Sequence, residues 1–206
     1  MEKLKIFERL PKKLLEDIIQ SSKPMDIPKG TEILREGQYV KVVPIVISGA
    51  IKVYSSFEEK ELLLYYIIAN ESCIMSFTAG INNEESKVFA VTEEDTSALL
   101  VPVRKINEWI KEFPEFNFLF FKLFNLRYND LLESINQVLF NKMDQRLYDY
   151  LLKKSKINKT QIFKISHREM ANDLGTAREV VSRVMKKLEN ENKIEQVGQS
   201  IKIIDL

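Results

Sequence analysis

The stretch SHREMANDLGTAREVVSRVMKKLEN, residues 166–190, carries the signals for two short helices joined by a turn. A hydroxyl residue is followed three positions later by glutamate twice, at Ser166 and Glu169 and again at Thr176 and Glu179. Such pairs are capping boxes, in which the hydroxyl accepts from a backbone amide and the glutamate reaches back to the cap. The glycine between the two boxes allows a sharp turn. The stretch therefore predicts a helix-turn-helix motif.

The second predicted helix has an apolar stripe and a polar face. The stripe consists of Ala177, Val181, Val184 and Leu188, with Met185 beside it. The opposite face carries Arg178, Glu179, Ser182, Arg183 and Lys186. Arginine donates two hydrogen bonds to guanine and glutamate accepts from cytosine, whereas lysine suits phosphates. We predict that this face enters the major groove of DNA. Two alternatives stay open. The arginines can be solvated surface charges that contact no DNA, and Glu179 can cap the helix without reading a base.

Further DNA contacts are expected around the motif. Thr176, His167 and Arg168 lie at the starts of the two helices, and Lys187 follows Lys186. The segment KIEQVGQSIKIIDL, residues 193–206, predicts a hairpin that would complete a winged helix. Residues 141–206 contain 14 Lys and Arg against 9 Asp and Glu, on a body that is mildly acidic. A basic end of this kind suits a polyanion.

In the first part of the chain, apolar and polar residues alternate with a different period. In IPKGTEILREGQYVKVVPIVISGAIKVY, residues 27–54, short apolar runs alternate with glycine-containing turns. Strands of this length with no helices between them indicate an antiparallel sandwich or roll. The fold class is therefore α+β, with an N-terminal helix and β-roll domain over residues 1–113. A dimerisation helix and hinge follow over 114–141, and a winged-helix DNA-binding domain over 142–206.

The helix predicted after Pro114 carries two apolar sets. One forms a heptad seam: Phe121, Phe124, Tyr128, Leu131, Ile135 and Val138. The other, on a neighbouring face, consists of Phe116, Leu119, Phe120, Leu123 and Leu132. We predict that one set packs on the β domain and the seam on a partner chain. The alternative is that both are buried within one monomer. Asp144 is expected to cap the helix that follows the hinge.

Over essentially its full length the chain resembles the Crp/Fnr family of bacterial transcription regulators. The resemblance rests on residues 27–54, the long helix and residues 165–190. It implies a cyclic-nucleotide-binding-type β roll, a homodimer and a winged helix that grips double-stranded DNA at a palindromic promoter site. In this family, residues matching Arg178, Glu179 and Arg183 read base edges, and Ser182 matches a position that tunes the half-site. RNA polymerase is a further candidate partner.

The resemblance also implies an effector pocket, and there this chain departs from the family. Members that bind cyclic AMP place a glycine–glutamate pair on a short helix and an arginine–serine pair further on. Glu71 and Ser86 match that glutamate and serine, but Glu85 stands in place of the phosphate-binding arginine. A carboxylate there repels phosphate, so cyclic AMP is not expected. The candidate pocket residues are Glu71, Ser72, Cys73, Ser86 and Lys87.

Few residues support other sensing chemistries or a metal enzyme. Cys73 is the only cysteine, so one chain cannot ligate an iron–sulfur cluster, and it is either a packing residue or a thiol sensor. The single His167 argues against a cupin-type metal enzyme, while haem ligation by Met, Cys or Tyr stays open.

We expect no catalytic site, no metal site and no resident cofactor. No apolar run approaches the ~20 residues that cross a bilayer, so a cytoplasmic location without membrane contact is expected. The alternative function is a cyclic-nucleotide- or small-ligand-binding module that acts through protein partners.

Overall fold

The computed structural model describes residues 5–8, 10–57, 60–140, 142–198 and 200–204; of residues 5, 57, 60 and 134–140 it describes the backbone alone. The chain divides into two compact units. The N-terminal unit comprises Met1–Ser55 and Leu64–Asp130, and the C-terminal unit comprises Ser56–Leu63 and Leu131–Leu206. Among the described helices, none is both long enough and apolar enough to span a membrane.

Seven strands form two sheets in the first part of the chain. They are β1 (Lys23–Ile27), β2 (Glu32–Leu34), β3 (Val42–Ser48), β4 (Ala50–Phe57), β5 (Lys60–Ile68), β6 (Phe89–Thr92) and β7 (Thr96–Pro102). One sheet has the order β1-β7-β3 and the other β2-β6-β4-β5. The pairs β1–β7, β3–β7, β2–β6 and β4–β6 are antiparallel. The expected β roll is therefore confirmed.

The turn between β3 and β4 depends on Gly49. Its φ is +87°, and a Cβ atom there would lie 2.5 Å from the backbone oxygen of Asp95. Both the left-handed backbone and the close approach of a neighbouring chain segment favour glycine. This glycine allows the two strands to enter different sheets of the roll.

Helices flank the roll. A short 3-10 helix (Lys5–Phe7) is followed by α1 (Lys12–Ser21), α2 (Ile74–Asn82), α3 (Val103–Glu112) and α4 (Pro114–Phe140). The indole Nε1 of Trp109 donates to Asp17 at 2.7 Å and ties α3 to α1. This hydrogen bond holds the pKa of Asp17 below its ordinary value. Trp109, only 1% exposed, anchors the apolar core between these helices.

The two faces of α4 have different surroundings. Phe116, Leu119 and Leu123 are buried in the core of the N-terminal unit. The other face is solvent-exposed and apolar: Phe118, Phe121, Phe124, Tyr128, Leu131 and Leu132. We call this the α4 apolar face. The alternative in which both sets are buried within one monomer is wrong for these residues, and so is the placement of Leu132 with the buried set. The side chains of Ile135 and Val138 lie outside the described residues.

The C-terminal unit is a winged helix. Its elements are α5 (Met143–Asn158), β8 (Ile162–Lys164), α6 (His167–Asp173), α7 (Arg178–Asn190), β9 (Ile194–Val197) and β10 (Ser200–Ile203). The three strands form an antiparallel sheet of order β8-β10-β9. Leu147, Leu151, Met170, Met185 and Leu188 lie in its core. The predicted helix-turn-helix and hairpin wing are both confirmed.

Three local predictions about this unit are wrong. The cap of α7 is Ala177, without a side-chain hydrogen bond, so Thr176 and Glu179 form no capping box. Ala177 is therefore exposed and does not belong to the buried stripe. Asp144 is not the cap of α5, because that helix begins after Lys142 and Asp144 lies in its first turn. The physical reason is the same in each case: tertiary packing decides which residue begins the helix.

Candidate functional site

The exposed face of α7 is polar and projects from a buried stripe. Arg178, Glu179, Arg183 and Lys186 are exposed, whereas Val181 and its neighbours in the stripe are buried. In the described part of the chain none of these four charged side chains takes part in an ion pair. Their charges are therefore available to an external partner. Guanidinium groups in this setting can donate to base edges, and the ammonium group of Lys186 can meet a phosphate.

Lys187 is arranged differently from Lys186. Its ammonium group pairs with the carboxylate of Asp144 on α5 and lies 3.7 Å from Glu191. The hydrogen bond from Lys187 lowers the pKa of Asp144, and the same bond raises the pKa of Lys187. Lys187 thus joins α7 to α5, and its role as a phosphate contact stays a prediction.

The helix α6 is held by its predicted N-terminal cap and by an ion pair that the sequence did not reveal. Ser166 Oγ accepts a hydrogen bond from the Glu169 amide at 3.1 Å, which confirms one half of the first capping box. The Glu169 carboxylate instead accepts from Lys154 at 3.0 Å. Lys154 is only 2% exposed, so this partner replaces lost hydration. Arg168, by contrast, is exposed on the outer side of α6.

The turn between α6 and α7 is fixed by hydrogen bonds from both sides. The Thr176 amide donates to the Ala171 carbonyl at 2.9 Å. A guanidinium nitrogen of Arg146 donates to the Leu174 carbonyl at 3.0 Å, and burial lowers the pKa of Arg146. Thr176 therefore shapes the turn through its backbone, and its half-buried side chain lies beside the start of α7.

His167 lies against the recognition helix. Its Nδ1 is 2.8 Å from the hydroxyl of Ser182, and both side chains are partly buried. His167 also lines an open cavity of about 440 Å³ together with Lys164, Gln196 and Ser200. The structure thus brings together two predicted contact residues from different helices. The sequence contained no sign of this pair because its members are fifteen positions apart.

The predicted effector residues do not converge on one pocket. Glu71 precedes α2, which begins at Ile74, so Glu71 does not stand on that helix, and its match to the family's glutamate stays a prediction. Ser72 donates to the Pro44 carbonyl at 2.6 Å, and Ser86 donates to the Val88 carbonyl at 2.8 Å. The hydroxyl protons of Ser72 and Ser86 are therefore already donated to backbone carbonyls of the protein. Lys87 is exposed on the roll.

A cavity of about 290 Å³ does lie within the roll. Of the five predicted residues only Cys73 lines it, together with Ser76, which the sequence did not single out. The Ser76 amide donates to the Cys73 sulfur at 3.4 Å, so Cys73 caps α2. Cys73 is 1% exposed and lies 3.8 Å from the Tyr65 hydroxyl. Burial, followed by the neighbouring Cys73, raises the pKa of Tyr65.

Arg127 is the partner of Glu71. Its guanidinium pairs with the Glu71 carboxylate, pairs with Asp130 at 2.6 Å and donates to the Tyr66 carbonyl at 3.2 Å. It also lies 4.5 Å from the centre of the Tyr65 ring. Arg127 is 9% exposed, and the Glu71 and Asp130 side chains are 19% and 24% exposed, so the two carboxylates are only partly removed from water. The cluster connects α4 to the turn after β5.

We expect Arg127→Met to lower the free energy of unfolding by about 3 kcal/mol, because it leaves Glu71 and Asp130 without their buried counter-ion. Urea unfolding at one fixed protein concentration measures this change. Lys122→Met is the matched control, since Lys122 is exposed on the same helix and should change stability by less than about 0.5 kcal/mol. Equal losses in the two variants would refute the structural role of the cluster.

The described residues include no cluster of three or more His, Cys, Asp or Glu side chains arranged to hold a metal ion. The predicted DNA-binding residues, by contrast, all lie in one unit and mostly on one helix and its neighbour. An exposed basic recognition helix, braced by a second helix and a hairpin wing, defines a DNA-binding transcription regulator.

The comparisons with known proteins find similar transcription regulators. Residues 145–206 match the Crp-like helix-turn-helix domain. The transcriptional activator protein Anr of Pseudomonas aeruginosa is 25% identical over 199 residues, which cover 93% of this chain and 80% of the relative. Residues 145–206 thus carry the helix-turn-helix domain of Crp-like proteins, and over most of its length the chain is similar to a transcriptional activator.

Solved structures show the same fold. A transcriptional regulator of the Crp/Fnr family from Eubacterium rectale superimposes with a TM-score of 0.86 at 24% identity, covering 98% of this chain and 94% of that one. The c-di-GMP-responsive regulator CLP of Xanthomonas campestris gives a TM-score of 0.81 at 18% identity, covering 95% and 100%. The fold is therefore shared over nearly the whole chain.

Proposed function

We propose that this protein acts as a homodimer that binds a palindromic promoter site in the cytoplasm and performs no catalysis. The α4 apolar face is the observation that supports a dimer. Phe121, Phe124 and Tyr128 are each at least half exposed, at heptad spacings. Burying such a face on a second copy is favourable because each large side chain contributes roughly 1.5–3 kcal/mol.

Two-fold symmetry follows from this arrangement. A dimer joined through matching helices presents two copies of α7, so its DNA site should consist of two inverted half-sites. Arg178, Glu179 and Arg183 would read base edges, while Lys186 and Arg168 would contact phosphates. We propose that a dimer bound at such a promoter contacts RNA polymerase.

We further propose that DNA binding requires neither cyclic AMP nor another cofactor. Among the described residues that line the cavity in the roll, Glu32 alone is charged, so the lining holds no cation to neutralise a phosphate. Glu71 and Ser86 are already engaged by Arg127 and Val88. If the roll holds an effector, the apolar lining of this cavity favours a small and largely uncharged molecule.

Selection of binding sites from randomised duplex DNA tests this proposal. The purified protein should enrich a two-fold symmetric consensus at near-physiological salt with no small molecule added. Adding cyclic AMP or cyclic di-GMP should leave the consensus and the affinity unchanged, and the absorbance spectrum should contain no haem band. Enrichment of no sequence would overturn DNA binding without an effector, and an asymmetric consensus would overturn the dimer.

A further inference from the structure

The hydroxyl of Ser182 is engaged by its own protein on two sides. His167, the first residue of α6, places Nδ1 at 2.8 Å from Ser182 Oγ. The same oxygen lies 3.0 Å from the carbonyl of Arg178, one turn earlier in α7. Both distances are those of ordinary hydrogen bonds. Ser182 lies on the face of α7 that is expected to approach DNA, so its hydrogen-bonding state bears on what it can read.

Counting protons assigns the direction of both bonds. A serine hydroxyl has one proton to donate and two lone pairs that accept. The Arg178 carbonyl can only accept, so both contacts are hydrogen bonds only if the serine proton is directed at that carbonyl. The contact with His167 is then a hydrogen bond only if Nδ1 carries a proton and donates to Ser182. A neutral imidazole has one N–H, so its Nε2 is then an acceptor.

We infer that His167 is a positioning residue of the DNA site, which withholds the proton of Ser182 from the bases. With its proton directed at Arg178, Ser182 has no donor for guanine O6 or N7, or for thymine O4. The N–H of His167 prevents the hydroxyl from rotating away, because two donors would then face each other. This inference rests on the proposed reading of DNA by α7, and it removes Ser182 from the set of donating base readers.

The single histidine of this chain makes the inference directly measurable without DNA. Nitrogen-15 NMR of the imidazole at alkaline pH, where imidazoles are neutral, reports which ring nitrogen carries the proton. We expect the Nδ1–H tautomer to dominate in the native protein. Ser182→Ala should abolish this preference because it removes the acceptor. A dominant Nε2–H tautomer in the native protein would overturn the inference, since Ser182 would then donate to the ring.

Site selection with variants tests the consequence for DNA. Ser182→Ala removes only an acceptor, so any base preference that it changes should be a preference for an amino group, cytosine N4 or adenine N6. His167→Phe frees the hydroxyl and should change the preferred base at one symmetric pair of positions, and this change should vanish when Ser182→Ala is added. His167→Asn retains a donor near the Nδ1 position and should restore the native consensus. Thermal unfolding verifies that each variant is folded.

Arg168→Ala is the matched control for this series. Arg168 is exposed beside His167, and loss of a phosphate contact should weaken binding to all sequences alike. If His167→Phe merely reproduced that uniform loss, the inference would be wrong. If the native protein enriched no sequence, the proposed DNA binding without an effector would fail, while the tautomer measurement would still decide the inference.

Discussion

We expect the double substitution Arg178→Ala and Arg183→Ala to abolish the preference of this protein for its consensus site. Both guanidinium groups are exposed on α7 and are unpaired among the described residues. One good bidentate contact from arginine to guanine contributes about 1–3 kcal/mol of discrimination. Two such contacts in each of two half-sites predict that the ratio of specific to nonspecific affinity falls by roughly a thousandfold or more.

Fluorescence anisotropy with consensus and scrambled duplexes at one salt concentration measures this ratio. Lys187→Ala provides a control on the same helix, since Lys187 pairs with Asp144 and a lysine contact to phosphate carries no sequence information. That variant should change the ratio by less than about threefold. Circular dichroism should show that all variants keep the native fold. A double variant that retained its sequence preference would show that α7 does not read the bases.

The broad architecture was predictable because the spacing of apolar residues indicates which faces of the helices and strands are buried. The two faces of α4 were evident in spacings of three and four, and the structure indeed buries Leu119 and exposes Phe121. The hairpin wing was predictable because a glycine turn separates two short alternating runs. These signals are local, and the structure preserves them.

The failures concern competition between partners that are distant in sequence. Glu169 was expected to reach back to its own helix cap, but the buried Lys154 binds it instead. Glu71 was expected among the effector residues, and the sequence did not show that Arg127, 56 positions away, pairs with it. No local pattern shows which of two acceptable partners a carboxylate will choose, because that choice depends on burial.

One missed residue did leave a signal in the sequence. Leu119, Leu123 and Arg127 recur at spacings of four, so the buried face of α4 continues directly into an arginine. A charged residue at a core position needs a counter-ion, and Glu71 and Asp130 supply two. That reasoning predicts a buried ion cluster, although it cannot name Glu71 as the partner.

Phe121→Glu should convert the proposed dimer to a monomer. Phe121 is 66% exposed on the α4 apolar face. In a two-fold interface the substitution occurs twice, so two phenyl rings are lost and two carboxylates must be desolvated or remain in water. At roughly 1.5–3 kcal/mol for each ring, the dissociation constant should rise by at least about a hundredfold.

Analytical ultracentrifugation across a concentration series measures the dissociation constant, and Lys122→Glu is the control. Lys122 is exposed on α4, about 100° around the helix from Phe121, so its substitution adds negative charge away from the seam. It should leave the dimer within about threefold of the native affinity.

A monomeric Phe121→Glu variant should also lose its preference for the two-fold symmetric DNA site over a single half-site, because the second half-site would no longer be bound by a linked copy. If Phe121→Glu stayed dimeric while Lys122→Glu dissociated, the interface would lie on a different side of α4; if both stayed dimeric, the copies would associate through another surface.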